Sequence, residues 1–391
     1  MAASATAGVS EGFGAVAAAF HRNFVEPGED AAAVAVFHRG VRVVDLWDGT
    51  DVVNGRPMPE DGLMMVASAS KGITATVLAA LVDRGAIDPI APVASYWPEF
   101  AAGGKEHITV AMLASHTAGL PYPPLGTGLQ GLDLHRGEAV TAALAGAEPL
   151  WEPGTAMAYH PVTYGTLLDE VVRRATGSSI ATHVRALIAE PLNIDMWIGL
   201  PDALHGRVVP GRWEGISPMV PVEDPAEPGS YAAQRQAFMR ENPPMDPDFS
   251  DADEVRAHYS AERPGIGAIT DARALASMYA ALLGPVDGVR LVSDETMRLA
   301  TEPRTDDVET LIESGTAGPD IRFGLGYQLT SPSMPGFGPA SFGHTGAGGR
   351  LGIADAEYEI GFGYICSRMR NIGPHGDMRW KTLIDAVRDC L

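Results

Sequence analysis

At 391 residues, 46 % of them apolar, the chain has material for a large core, whether as one big α/β or α+β enzyme or as two or three average domains. Its 49 acidic side chains against 28 basic ones leave a formal net charge of -21, which repels a phosphate backbone and argues against nucleic acid as a partner. The only two cysteines, Cys366 and Cys390, exclude a disulfide scaffold and have no metal-ligand spacing, so two reduced thiols and no metal are expected.

The opening MAASATAGVSEGFGAVAAAF has no basic stretch ahead of its alanines and no apolar run long enough to span a bilayer. A soluble cytoplasmic protein with no membrane partner is expected. A helix is predicted over Phe13 to Phe24, then two strands, Ala33 to Phe37 and Val41 to Trp47, hinged at His38-Arg39-Gly40. The apolar stretch Gly72 to Val82 has no breaker, stops at Arg84-Gly85 and reads as a buried helix. Further helices are predicted at Val110 to Ser115, Gly137 to Ala147, Tyr164 to Ala175, Ile180 to Glu190 and Asp271 to Leu283, each bounded by Gly, Pro, Thr or Asp.

Between Pro221 and Pro264, seven prolines and many acids surround a short predicted helix at Tyr231 to Met239. This is an excursion over the surface, either a solvated loop or a cover for a pocket. Phe323 to Leu329, Arg350 to Ala354 and Ile360 to Cys366 read as strands, and Met378 to Asp389 as a last helix. Strands at both ends with helices between them predict an α+β fold whose sheet joins the termini. One domain of residues 1–391 is expected, with a sheet region of about 1–62 and 265–391 and a helical region of about 63–264.

Candidate chemistry begins at Ala67-Ser68-Ala69-Ser70-Lys71. Residues at i and i+3 share a helical face, with Cβ atoms roughly 5–6 Å apart, so Ser68 and Lys71 can aim at one spot. A serine hydroxyl is a weak nucleophile until its proton is taken, and a lysine takes it only when neutral. An apolar wall or a helix start lowers a lysine pKa, and the sequence offers Lys71 both. The chain has three lysines, Lys71, Lys105 and Lys381, and of these only Lys71 follows a serine by three.

Two further stretches matter: the turn-rich Trp151-Glu152-Pro153-Gly154-Thr155-Ala156-Met157-Ala158-Tyr159-His160-Pro161, and the small-residue Gly343-His344-Thr345-Gly346-Ala347-Gly348-Gly349 feeding a strand. With Ile108 to Leu120 and Phe323 to Tyr327, they make the sequence resemble the class C β-lactamase-like serine hydrolases of the penicillin-recognising fold, and among these the family VIII carboxylesterases. The likeness runs from about Ala33 to Cys366. It implies a β-lactamase/transpeptidase-like fold and a catalytic group of Ser68, Lys71 and Tyr159, in which Lys71 as a cation would make Tyr159 useful as a base. It further implies an oxyanion hole from the N–H groups of Ser68 and Ala347, and substrate contacts at His344 and Gly346; His160, beside Tyr159, reads equally as a substrate-lining residue or a structural one.

His344 stands where β-lactamases carry lysine, and a histidine is mostly neutral at pH 7, so it offers little to the carboxylate of a β-lactam. Pro161 likewise stands where the lactamase motif has asparagine and has no side-chain amide to offer. Both departures favour uncharged esters. The expectation is therefore a cofactor-free serine esterase acting on short-chain esters or lactones as small-molecule substrates. An acyltransferase, a peptidase or weak lactamase on the same site, and a non-catalytic ligand sensor are the alternatives.

Other signals are weaker. Gly8-Val9-Ser10-Glu11-Gly12 matches G-x-S-x-G but has no strand before it. His116 and His160 lack a metal spacing, and Gly346 to Gly352 does not fit a nucleotide-binding glycine pattern. Trp47, Trp97, Trp151 and Trp197 read as core or pocket wall.

Overall fold

The alanine-rich amino-terminal segment forms α1 (Gly14–Val25), and the hairpin follows as β1 (Ala31–His38) and β2 (Val41–Asp51), with a short edge strand β3 (Arg56–Pro57). The computed structural model describes residues 8–391 apart from 27, 136, 215–226, 228–229, 243–249, 312–319 and 372–375. The helical region carries α2 (Ser70–Asp83), α3 (Glu138–Gly146), α4 (Thr163–Thr176), α5 (Tyr231–Glu241), α6 (Ala252–Ser260) and α7 (Ala272–Leu283). The chain then returns to the sheet with β4 (Arg322–Phe323), β5 (Gln328–Leu329), β6 (Ser341–Gly346), β7 (Arg350–Asp355) and β8 (Ile360–Cys366), and closes with α8 (Met378–Arg388).

Among the described residues these strands form one sheet in the order β4-β5-β6-β7-β8-β1-β2-β3, antiparallel throughout. Pairing of β1 with β8, for example Ala33 with Ile365, joins the two ends of the chain as expected. The β1 sequence is buried on both faces, and the strand's period of two divides it. Ala31, Ala33, Ala35 and Phe37 enter the core shared with α2 and α7, whereas Ala32, Val34 and Val36 enter the core under α1 and α8. Helix α2 is buried from Ser70 to Leu81, as a helix apolar all round must be.

Several expectations change. Phe323 to Leu329 is two short strands rather than one, because Gly326 takes φ 85° and turns the chain back between them. Ile180 to Glu190 is helical but widens into a π turn over Val184–Ala189. Much of the Pro221 to Pro264 excursion lies outside the described residues. Its described parts, α5 and α6, are not a solvated loop: Phe238 and Met239 are buried with Tyr122, Leu134 and Val162. No described helix is long and apolar enough to cross a membrane.

Candidate active site

Ser68 sits in a 3-10 turn, Ala67–Ala69, that leads directly into α2. Ala67 takes φ 48°, a left-handed conformation that L residues avoid. Ser70 stabilises the turn: its hydroxyl donates to the Ala67 carbonyl at 2.6 Å and accepts the Ala268 N–H at 2.9 Å. The sequence reading passed over Ser70; its one cue was a hydroxyl inside a buried helix start, where it must find partners.

Lys71, one turn into α2, has no accessible surface. Its Nζ lies 2.9 Å from the Gly265 carbonyl and 3.4 Å from both the Pro161 carbonyl and Ser68 Oγ. The Tyr159 ring faces it at 4.8 Å and the Tyr164 ring at 5.6 Å. Burial draws the Lys71 ammonium down to about 7. Tyr159 is different: burial pushes its phenol above the ordinary range, while the Ser68 hydroxyl pulls it back. Its hydroxyl is buried without a hydrogen-bond partner at standard geometry. Burial thus favours the neutral form of both groups, the amine of Lys71 and the phenol of Tyr159.

The strand β6 passes Gly346 close to the Ser68 turn. A Cβ there would lie 2.2 Å from the Val66 carbonyl, so Gly346 is a spacer that lets the strand approach. Ala347, just beyond it, lines the same cavity as Ser68. His344 is buried in β6; its Nδ1 donates to the Thr345 carbonyl at 2.7 Å, which leaves Nε2 as a lone-pair acceptor without a partner. Burial, aided by Lys71, holds its pKa down to about 3.

His160 does not contact the cavity. Its Nδ1 donates to the Ala158 carbonyl at 2.7 Å and its Nε2 accepts the Leu120 N–H at 3.0 Å, so both nitrogens brace backbone and neither is free for a substrate. His116 is equally internal: Nδ1 accepts the His160 N–H at 3.1 Å, and its ring packs on Tyr159 and Phe323. Ser10 is exposed and bonds through its N–H to Val43 in β2. Trp97 is core, and Trp47 and Trp197 stack on Arg273 and Arg185.

The cavity beside Ser68 holds about 350 Å³. Its walls come from Leu132, Leu134, Val162, Trp213, Phe238 of α5 and Tyr259 of α6, so the excursion forms one side of it. None of these was singled out in the sequence as a pocket wall, since they become neighbours only in the fold. Among the described residues no group of His, Cys, Asp and Glu could hold a metal ion.

The Beta-lactamase family model matches residues 19–386. Esterase/beta-lactamase LipL of Mycobacterium tuberculosis is 35% identical over 381 residues, which is 91% of this chain and 81% of LipL. A solved family VIII carboxylesterase superposes with a TM-score of 0.83 at 34% identity, covering 99% of each chain. A penicillin-binding protein homologue from Caulobacter crescentus does so at 0.84 and 33%, again over 99% of each chain. The likeness read from the Ser68, Tyr159 and His344 stretches thus extends along the whole molecule, and the chain belongs to the beta-lactamase family.

Proposed function

We propose that the chain is a serine esterase that cleaves small carboxylic esters or lactones through an acyl intermediate on Ser68, with Lys71 as proton acceptor. One observation carries this reading: an amine sealed from solvent, drawn down to about 7, and 3.4 Å from the serine oxygen. A neutral Lys71 has two N–H donors for the Gly265 and Pro161 carbonyls and a lone pair left for the Ser68 hydroxyl.

As Ser68 Oγ bonds to the acyl carbon, its proton passes to Lys71 Nζ, and the carbonyl oxygen becomes an oxyanion facing the N–H groups of Ser68 and Ala347. Collapse breaks the bond to the alcohol oxygen, which takes the proton from Lys71 with the Tyr159 hydroxyl alongside. Water then adds to the acyl carbon and gives its proton to Lys71. The acid leaves as Ser68 Oγ regains a proton. Tyr159 stays a neutral phenol throughout and conducts a proton rather than abstracting one.

A neutral His344 offers no charge to an anionic substrate, which favours esters over β-lactams. The family VIII carboxylesterase is named for esters, and LipL for esters and β-lactams alike. Cytoplasmic residence belongs to the same reading and is supported by two unpaired cysteines.

Hydrolysis of p-nitrophenyl butyrate, together with mass spectrometry after a fluorophosphonate, tests the assignment. The wild type is expected to turn over the ester and to carry the label on Ser68, and Ser68→Ala to do neither. A label on another serine, or full turnover by Ser68→Ala, overturns it.

A further inference from the structure

Arg379, at the start of α8, is 1% exposed, and ester chemistry at Ser68 gives it no direct task. Its Nε and Nη2 lie on the Asp377 carboxylate at 2.6 to 3.2 Å, and its Nη1 donates to Glu29 at 2.7 Å and to the Arg368 carbonyl at 2.5 Å. Nη2 also donates to the Gly348 carbonyl at 2.6 Å. Buried ion clusters contribute little net stability compared with apolar packing of the same shape, so this one calls for another reason.

Its position supplies that reason. Gly348 lies in the turn between β6 and β7, immediately after Ala347. Three successive carbonyls there, 346 to 348, are held. Gly346 accepts the Gly349 N–H at 3.1 Å, Ala347 accepts Arg350 Nη1 at 2.8 Å, and Gly348 accepts Arg379 together with the Arg370 N–H at 3.3 Å and Cys366 Sγ at 3.4 Å. A Cβ on Gly349 would lie 2.0 Å from Arg379 Nη2, so the guanidinium rests directly against the turn. Because each peptide unit is planar, the Gly348 carbonyl held by Arg379 sets the direction of the Gly349 N–H, which donates to the Gly346 carbonyl, and that carbonyl shares its plane with the Ala347 N–H.

We propose that Arg379, gripped by Glu29 and Asp377, is a positioning residue that aims the Ala347 N–H at the acyl oxygen of a substrate on Ser68. The inference rests on the esterase reading of that site. A donor of this kind acts on charge that develops in the transition state, so its misalignment lowers kcat and leaves KM.

The test compares Arg379→Met and Asp377→Asn with Asn23→Ala. Arg379→Met leaves two carboxylates without their cation and can fail to fold. Asp377→Asn keeps the cap on the Arg379 N–H, at 2.9 Å in the wild type, while loosening the guanidinium. Asn23→Ala releases α8 through the Arg379 carbonyl, 3.0 Å from Asn23 Nδ2, and serves as the stability control. Kinetics with p-nitrophenyl butyrate and hydrogen exchange of the amides at 346–349 are the readouts.

Both site variants are expected to lower kcat about 10- to 100-fold with KM within about twofold, and to speed exchange in the turn. Asn23→Ala is expected to change neither beyond its loss of melting temperature. If Arg379→Met unfolds, Asp377→Asn decides. A kcat in the site variants no lower than in Asn23→Ala, or a lower kcat without faster exchange, overturns the proposal. Wild-type turnover by Ser68→Ala would instead overturn the esterase reading, and the exchange measurement would still decide whether Arg379 holds the turn.

Discussion

Lys71, in the first turn of α2, and Lys105, in the loop before the short helix Val110–Ala114, both have no accessible surface, yet their surroundings ask opposite things of an amine. The Lys105 Nζ meets three carbonyls, those of Ala102 at 2.6 Å, Ala145 at 2.9 Å and Ala147. Three acceptors need three N–H donors, and only the ammonium has them. Two of those carbonyls lie at the carboxyl end of α3, where a cation also meets the negative end of the helix dipole. Burial lowers the Lys105 pKa as well, but Glu148 opposes the shift. Lys71 has one close carbonyl and two contacts at 3.4 Å, one of them the Ser68 hydroxyl. Both amines are buried, but Lys105 has a close acceptor for each of its three protons and Lys71 for one.

The largest expected effect comes from breaking that difference at Lys71. Lys71→Arg places a permanent cation beside Ser68 and should lower kcat for p-nitrophenyl butyrate by about a thousandfold or more, as should Lys71→Met. Retained turnover in the arginine variant would show that a neutral amine is not required. The methionine variant should also gain about 1–2 kcal/mol of stability in thermal or urea unfolding. The sign follows from linkage. The folded wild type binds a proton on Lys71 less readily than the unfolded chain, so its stability rises with pH from about 7 toward the ordinary lysine range. The gain on removing the lysine is therefore largest below about pH 7 and fades above it.

Lys105→Met should do the reverse. It strands three carbonyls and should cost about 2–3 kcal/mol in urea unfolding, with kcat within about threefold of wild type. A large loss of kcat at unchanged stability would erase the contrast between the two lysines. The wild-type pH profile sharpens it further. If neutral Lys71 is the base, kcat/KM should fall about tenfold per unit as pH drops below about 7 and level off above. A flat profile there would mean that Lys71 does not titrate in the working site.

These roles were unequally legible in the sequence. The Ser68 and Lys71 pair was readable because i, i+3 spacing is local and the apolar run behind it marks a buried helix. Tyr159 and Ala347 came only through family likeness, since no local rule places a loop tyrosine or a strand-end alanine against a helix start more than 80 residues away. The carbonyls that meet Lys71 Nζ were invisible, because backbone of Pro161 and Gly265 has no signature in side chains. For His160, its adjacency to Tyr159 left a pocket wall and a structural role equally open, and its ring went to the backbone. Helices α6 and Asp294–Thr301 were missed although both carry a readable start: Asp251 and Ser293 cap them, with acids in the first turn.

The smallest predicted effect asks whether Lys71 senses charge as well as burial. His344 lies close enough for the Lys71 charge to help keep its imidazole neutral, and its buried Nε2 has no partner. His344→Lys introduces a second amine there. Two ammonium groups so placed repel, so the pair shares protons less readily than Lys71 alone, and the neutral form of Lys71 persists to lower pH. The acid limb of kcat/KM for an uncharged ester should then move down by about half a unit or more. Measured from about pH 5 to about pH 9, an acid limb that stays put would mean that the new amine is itself neutral. Burial would then be the whole cause of the Lys71 shift, and the histidine would matter to substrate choice rather than to the base.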